Sequence, residues 1–448
     1  MRKKYQKQMP LMITGIDHAR AMEFKAISRI LDDNPIINEM VLQDLTPDVE
    51  HPDTGAQGMT AEQVVRAAII KQTEGYSYED LAFHIVDSRC YRSFCRIGIT
   101  DKGFQKSALC HNIKAISPET WEAINRILVA YAEEHKIEKG REVRMDSTVV
   151  SSNIHEPSDS SLLWDSVRVL SRMLGQINEQ LDSFNIPFTD HSKRAKRRML
   201  GIMNAKSKKT RKRQYVDLLK VTRKTLSYAE TALCLLKGPH LAMAQSMPEE
   251  LRHYIELTRR VIEQTERRVI YGESVPASEK IVSLFEPHTD IIVKDRRETF
   301  YGHKVCLNGG SSSLITDCVI VDGNPADSTL TEQMLDRHEE IYGRYPLKAA
   351  FDGGFASKEN LRSAKAKGIK DVCFAKKRGI EAEDMCRSQW VYKRLRRFRA
   401  GIESAISWIK RCFGFASCTW KSLRSFKSYV WASIVSANLL TLARKEMC

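Results

Sequence analysis

The sequence predicts an α/β fold in which a mixed sheet is interrupted by a long helical block and preceded by a helical region. Three observations predict this fold. The segment Glu142–Val150 is rich in β-branched residues, which is typical of a strand. Helical spacing of apolar residues then continues from about Ser160 for more than 100 residues. Strand patterns return near residue 290 and alternate with helical patterns as far as Phe374. This order indicates a sheet domain that carries an insertion.

The region before the first strand is predicted to form several short helices. Thr60-Ala-Glu-Gln63 has the sequence of a capping box and is followed by an apolar run, and Gly75 is expected to end that helix. Ser117-Pro118 places proline at the first position of a later helix. We therefore expect an N-terminal arm over residues 1–55 and a helical DNA-binding domain over residues 56–137. The same pattern also fits a purely structural helical domain.

The helical block is expected to form an insertion over residues 161–285. Apolar residues recur at helical spacing on both sides of Gly238-Pro239, which predicts two long helices packed as a hairpin. Residues 193–213 contain eleven Lys or Arg and no acid. A charge run is usually a solvated face, but the lack of balancing acids favours contact with phosphates. The candidate DNA-binding residues in this run are Lys206, Lys208, Lys209, Arg211, Lys212 and Arg213.

The remaining elements complete the sheet domain, which we expect to comprise residues 138–160 and 286–448. Asn308-Gly-Gly310 separates two strand patterns and predicts an antiparallel hairpin. The elements predicted around and after this loop are strands Tyr301–Leu307 and Leu314–Val321, helix Ser328–Tyr342, strand Leu347–Asp352, helix Ser357–Ala366, strand Asp371–Phe374 and a helical region from about Phe398.

The composition indicates which kind of partner the chain binds and in which cellular compartment it is expected. Lys and Arg total 71 against 56 for Asp and Glu, and the resulting surplus of 15 favours a polyanionic partner. Eleven scattered cysteines without a C-x-x-C pair argue against a zinc ribbon or a disulfide framework. Reduced cysteines in a cytoplasmic protein are the expected state. The apolar run Tyr429–Ala443 is short and contains polar residues, so it predicts a packed terminal helix rather than a membrane span.

Two isolated carboxylates stand among apolar residues at predicted strands. Asp146 follows Val143 and Met145, and Asp352 follows Ala350-Phe351. An unpaired carboxylate at the core end of a strand is costly, so something should satisfy it. Either residue could instead be a turn or cap aspartate, and Asp352-Gly-Gly suits that alternative. If both strands belong to one sheet, however, the two acids emerge side by side.

A third acid, Glu403, has a helical context. Arg399, Glu403 and Lys410 are spaced by four and seven residues, so all three lie on one helical face. One interpretation is an ordinary surface ion pair between Arg399 and Glu403. The other is a metal ligand flanked by two cations that hold a DNA phosphate. Three carboxylates would suit Mg²⁺ or Mn²⁺ and would be wrong for zinc.

Taken together, these stretches resemble those of bacterial insertion-sequence transposases with a DDE catalytic domain, most closely the ISNCY group. The resemblance covers roughly residues 60–445. Arg396 stands where the third motif has tyrosine, and a basic residue there would still suit a phosphate-rich surface. The motifs that carry the resemblance are Asp146-Ser-Thr-Val-Val with Asn153-Ile-His and Pro157-Ser-Asp-Ser-Ser-Leu-Leu-Trp-Asp165, then Ala350-Phe-Asp352-Gly-Gly-Phe355, and Arg399-x₃-Glu403-x₆-Lys410, which matches most of Y-x₂-R-x₃-E-x₆-K.

The resemblance implies a fold and a metal site. The fold would be an RNase H-like mixed five-stranded sheet with an all-helical insertion and a helical N-terminal DNA-binding domain. Asp146, Asp352 and Glu403 would be the catalytic residues and would hold two Mg²⁺ ions, with Mn²⁺ as a substitute, about 3.5–4 Å apart. Arg399, Lys410 and Arg396 would contact the phosphate backbone near the cut.

The resemblance also implies an activity and partners. The chain would bind the terminal inverted repeats of a transposon and target DNA as double-stranded DNA, and would act as a homodimer or a larger assembly. It would catalyse metal-dependent cleavage and strand transfer by in-line attack at phosphodiesters. Two alternatives remain open. One is an RNase H-like nuclease without strand transfer, and the other is a non-catalytic DNA-binding protein derived from a transposase.

Overall fold

A computed structural model describes residue 4 and residues 16–47, 58–98, 100–180, 186–236, 247–294 and 298–447 of the chain. The chain divides into two compact units. Residues 1–151 and 303–448 form the sheet unit, and residues 152–302 form the helical unit. The domain boundaries expected from the sequence remain predictions. The predicted break at Gly238-Pro239 lies outside the described residues.

Five strands make up the sheet within the described part of the sheet unit, in the order β4-β3-β1-β5-β6. β1 is parallel to β5, β5 is parallel to β6, and β3 is antiparallel to β4. The mixed five-stranded sheet predicted from the sequence is therefore confirmed. Within the helical unit, β2 pairs antiparallel with residues 298–302 of β3. The strand bounds are β1 Glu142–Ser151, β2 Asp290–Lys294, β3 Glu298–Gly309, β4 Ile315–Val321, β5 Lys348–Phe351 and β6 Asp371–Phe374.

Helices cover both faces of the sheet because strand side chains alternate between the two faces. On β3, Val305 and Leu307 join a core formed with the N-terminal helices and the last helix. Cys306, between them, joins the opposite core with Met145 and Phe351. The helices of the sheet unit are α1 Ala19–Asp33, α2 Ile36–Leu45, α3 Ala61–Glu74, α4 Tyr78–Asp87, α5 Arg89–Phe94, α6 Lys106–Ala115, α7 Pro118–Glu134, α12 Thr331–Tyr342, α13 Lys358–Ala366, α14 Ala382–Met385, α15 Gln389–Cys412 and α16 Leu423–Glu446.

The predicted helix signals of the N-terminal region are present. The Thr60 hydroxyl accepts the backbone N–H of Gln63, whose side chain accepts the backbone N–H of Thr60 in return. Gly75 ends α3 in the left-handed conformation with φ 69°, which glycine adopts at little steric cost. The Ser117 side chain caps α7, and Pro118 occupies its first turn. The capping chemistry of the sequence thus fixes these helix ends.

The terminal helix α16 is buried along most of its length, as the sequence predicted. Its polar Asn438 is satisfied inside the core. The Asn438 side chain donates to Asn125 Oδ1 of α7 at 2.7 Å and accepts the backbone N–H of Ile315 on β4 at 3.0 Å. These bonds tie the N-terminal helices and the last helix to the sheet. No helix in the described ranges combines the length and the apolar character that a membrane-spanning segment needs.

One helix begins earlier than the sequence predicted. The helical region expected from about Phe398 starts at Gln389, where the Ser388 side chain accepts the backbone N–H of Val391. Its first turns bury Tyr392 and Leu395 against the sheet. The basic residues between these positions are exposed and interrupt the apolar pattern, which hid the first turns of the helix.

The helical unit has its own core, which explains how it can be inserted into the sheet domain without disrupting it. Two of its helices, α10 Lys208–Leu235 and α11 Met247–Thr265, pack against each other as predicted. A π-helical turn, Glu266–Ile270, follows α11. The helices of this unit are α8 Asp159–Gln180, α9 Ser192–Met203, α10 Lys208–Leu235 and α11 Met247–Thr265.

Candidate active site

The parallel register of β1 and β5 places two of the predicted acids next to each other. Met145 pairs with Phe351, so Asp146 and Asp352 are the next residues on adjacent strands. The Asp146 side chain accepts the backbone N–H of Ser147 at 2.8 Å through Oδ1, and its other oxygen, Oδ2, faces Arg399. Two residues that are 206 positions apart (352 − 146) are thus brought into one site.

Asp352 does not act as a helix cap through its side chain. It precedes a short 3₁₀ turn, Gly353–Phe355, but its carboxylate makes no capping bond there. The carboxylate instead lies 3.2 Å from Arg399 Nη2. A Cβ at Gly353 would lie 2.8 Å from Lys376 Cβ, and one at Gly354 would lie 2.7 Å from Asp327 Oδ2, so close packing accounts for the two glycines. The Asp352 side chain is not used by the turn.

Glu403 reaches the same place from α15, which packs against β1, β5 and β6. Arg399 lies one turn earlier on this helix and stands at the centre of the site. Its Nη2 atom is 2.5 Å from Glu403 Oε1, 3.4 Å from Asp146 Oδ2 and 3.2 Å from Asp352 Oδ1. One nitrogen thus contacts a carboxylate oxygen from each of the three predicted acids. The interaction extends well beyond the simple surface ion pair of Arg399 and Glu403.

The pKa of Asp146 is raised to about 6: burial raises it most, the Arg399 guanidinium lowers it, and the neighbouring Asp352 and Glu403 carboxylates add to the rise. A carboxyl whose pKa is higher in the folded than in the unfolded state binds more protons when folded. The stability of the fold therefore decreases as the pH rises from about 4 to about 6, where Asp146 loses its proton. At neutral pH the site is an unfavourable concentration of negative charge, since three carboxylates face one guanidinium.

The donor set of this site fits a hard divalent cation, because it consists of carboxylate oxygens alone. In the arrangement described, however, no group of three His, Cys, Asp or Glu side chains in the described ranges is close enough to hold a metal ion. The reason is visible in the geometry: the Arg399 guanidinium occupies the space between the carboxylates. Metal binding at these acids would require the guanidinium to move away from that position.

Arg144 was missed by the sequence analysis, and it positions the helix that carries Arg399 and Glu403. It lies on β1 two residues before Asp146 and is only 5% exposed. Its guanidinium stacks on the Phe398 ring at 4.9 Å and donates to the Phe398 carbonyl at 3.1 Å. Gly401 gives it room, because a Cβ at that position would lie 1.8 Å from Arg144 Nη1. A glycine inside a charged helix was the available sequence signal.

The two other basic residues predicted on α15 are placed differently with respect to the acids. Lys410 lies two turns beyond Glu403 on the same face and is half-buried. Arg396 is exposed one turn before Arg399. Tyr392, a further turn toward the start of the helix, is buried and donates its hydroxyl to the Phe374 carbonyl at 3.1 Å. That tyrosine anchors α15 to β6.

All six candidate cations of the basic run are exposed in the helical unit. Lys212 donates to the Ile270 carbonyl at 3.1 Å, and none of the six forms an ion pair within the described ranges. Asp217, just beyond the run, bonds to Arg194 and Arg198 of α9. Asp217 therefore neutralises part of the positive charge at the start of the run. At its end, where α10 begins, the positive charges have no acid paired with them among the described residues.

The acids of the first motif that follow β1 have structural roles within the helical unit. Asp159 at the start of α8 accepts two hydrogen bonds from Arg268 Nη1, at 3.0 and 2.9 Å. Asp165 is buried and pairs with Arg168 at 2.6 Å. The ion pairs with Arg268 and Arg168 explain why acids occur at positions 159 and 165. We therefore do not count these two acids among the candidate active-site residues.

Two family models match the chain. Residues 289–439 match the transposase DDE domain, and residues 17–115 match a second model described as a transposase domain (DUF772). The first match includes Asp352 and Glu403, whereas Asp146 precedes it. Comparison with curated proteins gave no match, and comparison with solved structures gave none.

The sheet and the matched DDE domain define an RNase H-like domain of the transposase-type nucleases. The presence of both matched domains in one chain supports a more specific class: a bacterial insertion-sequence DNA transposase.

Replacing Gly401 with alanine should disturb the active site through packing alone. The new Cβ would clash with Arg144, so we expect a loss of about 1–3 kcal/mol in the free energy of unfolding, together with reduced DNA cleavage. Chemical denaturation monitored by circular dichroism measures the first effect. Gly175→Ala is the matched control, because this helical glycine has open space around it and alanine should stabilise the helix by about 1 kcal/mol. Equal effects of the two substitutions would contradict the proposed role of Arg144.

Proposed function

We propose that the chain binds transposon ends and catalyses metal-dependent DNA cleavage and strand transfer, with Asp146, Asp352 and Glu403 as metal ligands. The observation that carries this proposal is the contact of one Arg399 nitrogen with all three carboxylates. Gathering three acids around a single cation leaves the site with a formal charge of about −2. Such a site has a strong electrostatic preference for a divalent cation. The likeness to the ISNCY group suggested by the sequence is part of the proposal.

The mechanism depends on what each side chain can do at a phosphodiester. Mg²⁺ or Mn²⁺, when bound, would activate the attacking water or 3′-hydroxyl and stabilise the leaving oxygen. The parallel pairing of β1 with β5 fixes the backbone at Asp146 and Asp352, and this holds their carboxylates side by side. Glu403 completes the set from α15. Once Arg399 leaves the carboxylates, its guanidinium can bind a phosphate of the DNA, with Lys410 and Arg396 on the same helix face as further phosphate ligands.

The partners follow from the same chemistry. The substrate would be double-stranded DNA: the terminal inverted repeats of the transposon and a target duplex. Strand transfer joins two DNA segments, so we expect a homodimer or a larger assembly on paired ends. The exposed cations at the start of α10 would add phosphate contacts outside the active site.

Substitution of each acid should abolish chemistry while DNA binding persists. Inverted repeats in the DNA that flanks the gene supply the substrate, and joining of a pre-cut 3′ end to a target duplex is the measurement. We expect Asp146→Asn, Asp352→Asn and Glu403→Gln each to reduce cleavage and joining by on the order of 10³-fold. Asp384→Asn is the control, because this exposed acid of α14 is not one of the three acids that contact Arg399.

The outcomes of that assay separate the candidate functions. A variant that still cuts at the wild-type rate would remove its acid from the site. Cleavage by the wild-type protein without joining would support a nuclease. Binding without either reaction, in the presence of Mg²⁺ or Mn²⁺, would support a non-catalytic DNA-binding protein.

Neutralising part of the basic run should weaken DNA binding and its dependence on salt. Each phosphate contact contributes about 0.9 to the slope of log K against log salt concentration. The triple change Lys208→Gln, Lys209→Gln and Arg211→Gln should therefore lower the slope by about 2 to 3 units. The control neutralises three exposed cations of the same unit outside the run: Lys220, Arg252 and Arg260. Slopes reduced equally by both triple changes would show a general charge effect and no specific contact.

A further inference from the structure

Lys71 is a buried cation, and no carboxylate of the described residues pairs with it. It lies on α3, is 6% exposed, and its ammonium stands 4.9 Å from the centre of the Tyr78 ring. No ion pair or hydrogen bond to this ammonium is found within the described ranges. Burial, with a smaller effect of the nearby Lys114, lowers the pKa of Lys71 to about 8. The charged form is therefore held in an unfavourable environment.

Arg66, on the same helix, shows how this fold treats another buried cation. It is 1% exposed, and its guanidinium bonds to Glu62 at 3.0 Å and to Asp32 at 2.7 Å. The charge of Arg66 is thus balanced from within the protein. Because a buried cation without an anion is costly, the contrast indicates that the anion for Lys71 comes from outside.

A second lysine approaches the same aromatic side chain. Lys114 of α6 lies 5.9 Å from the centre of the Tyr78 ring and 6.0 Å from that of the Trp420 ring. Cation–π contacts lower the cost of placing each ammonium there but do not neutralise its charge. Two positive charges thus share one aromatic cluster.

Two hydrogen-bond donors of this cluster also lack acceptors. The Tyr78 hydroxyl and the Trp420 indole Nε1 are both buried and form no hydrogen bond within the described ranges. Trp420 is 2% exposed, so solvent reaches little of its side chain. A buried donor without an acceptor costs about 1–3 kcal/mol, which an incoming oxygen ligand would recover.

An open surface depression lies beside this cluster, and none of its lining residues is an acid. The depression is lined by five residues of α6, and Lys114 is one of them. Its lining residues are Ser107, Cys110, His111, Lys114 and Ala115. Cys110 is also one of the groups that act on the pKa of Lys71, which places the buried ammonium close to this depression. A ligand entering from α6 would meet donors and positive charge.

We propose that Lys71 and Lys114 form a phosphate-binding site in the N-terminal helices, with the Tyr78 hydroxyl and the Trp420 indole as additional donors. The expected ligand is a backbone phosphate of duplex DNA. This inference rests on the proposed function, because it gives the N-terminal helices of the sheet unit a defined contact with the DNA. A phosphate supplies a negative charge and several acceptor oxygens, which is the combination the cluster lacks.

Competitive acetylation of the full chain tests the site without substituting any of its residues. The protein is treated with a limiting amount of acetic anhydride near pH 8, without metal, and each lysine is quantified by mass spectrometry. We expect a mixed-sequence DNA duplex to reduce acetylation of Lys71 and Lys114 at least about fivefold. Lys25, an exposed residue of α1, is the internal control. Inorganic phosphate at the same total phosphate concentration should have little effect, because a duplex presents many phosphates at high local concentration.

A variant pair provides a second, independent readout. Lys71→Met combined with Lys114→Met should lower the salt slope of duplex binding by about 1, as expected for one phosphate contact. Lys25→Met should leave the slope unchanged. The double variant should melt no lower than the wild type, since two poorly balanced charges are removed. If it does melt lower, the acetylation of the unmodified chain decides the question.

The outcomes distinguish this inference from the proposed function. Wild-type protein that binds the duplex with Lys71 and Lys114 unprotected would overturn the inference and leave the transposase proposal standing. Protection by inorganic phosphate equal to that by DNA would assign the site to a free anion instead of the DNA backbone. Failure of the wild-type protein to bind any duplex would overturn both proposals.

Discussion

The contact between Arg399 and three carboxylates is the interaction on which the rest of this structure depends. Three acids within reach of one nitrogen repel each other, and Asp146 pays a further cost because it is largely removed from water. One guanidinium offsets only part of that repulsion. This excess of negative charge is the reason we propose that the site takes a ligand with more positive charge than arginine carries.

The architecture of the sheet unit serves to hold these groups in place. Adjacent parallel strands fix Asp146 and Asp352 side by side, and the helical unit can be placed between them in sequence because it has its own core. The third acid needs a different support, since α15 is a separate element. Arg144 provides it by reaching from β1 under the helix at Gly401 and bonding to the Phe398 carbonyl. The position of Glu403 thus depends on residues that never touch the site.

Much of the fold could be predicted because its signals are local. Capping residues such as Thr60 and Ser117 mark helix starts directly, and strands β1, β3, β4, β5 and β6 coincide with local strand patterns in the sequence. The start of α15 was missed because exposed basic residues interrupt its apolar face, and only the cap at Ser388 marks it. The pairing of β1 with β5 is non-local: the two isolated acids led us to expect neighbouring strands, but no local pattern fixes their register.

The candidate site shows the same division. The three acids and Arg399 were identified from motif and helical spacing, whereas the central position of the guanidinium was not, because it depends on the side-chain geometry of three elements. Arg144 was missed since an arginine in a strand pattern gives no sign that it is buried. Lys71 was missed for a related reason: among the described residues it is buried beside another lysine and not beside a carboxylate, and that spatial arrangement has no local sequence signal.

Isothermal titration calorimetry of the full chain with Mn²⁺ at neutral pH is the most direct test of a metal site formed by the three acids. It measures whether the three acids act together on a divalent cation, independently of any DNA substrate. We expect the wild-type protein to bind Mn²⁺. Replacing Asp146, Asp352 or Glu403 by its amide should weaken this binding by about tenfold or more, whereas Asp384→Asn should leave it unchanged. Equal Mn²⁺ affinity in the wild-type protein and all three amide variants would contradict a metal site formed by the three acids.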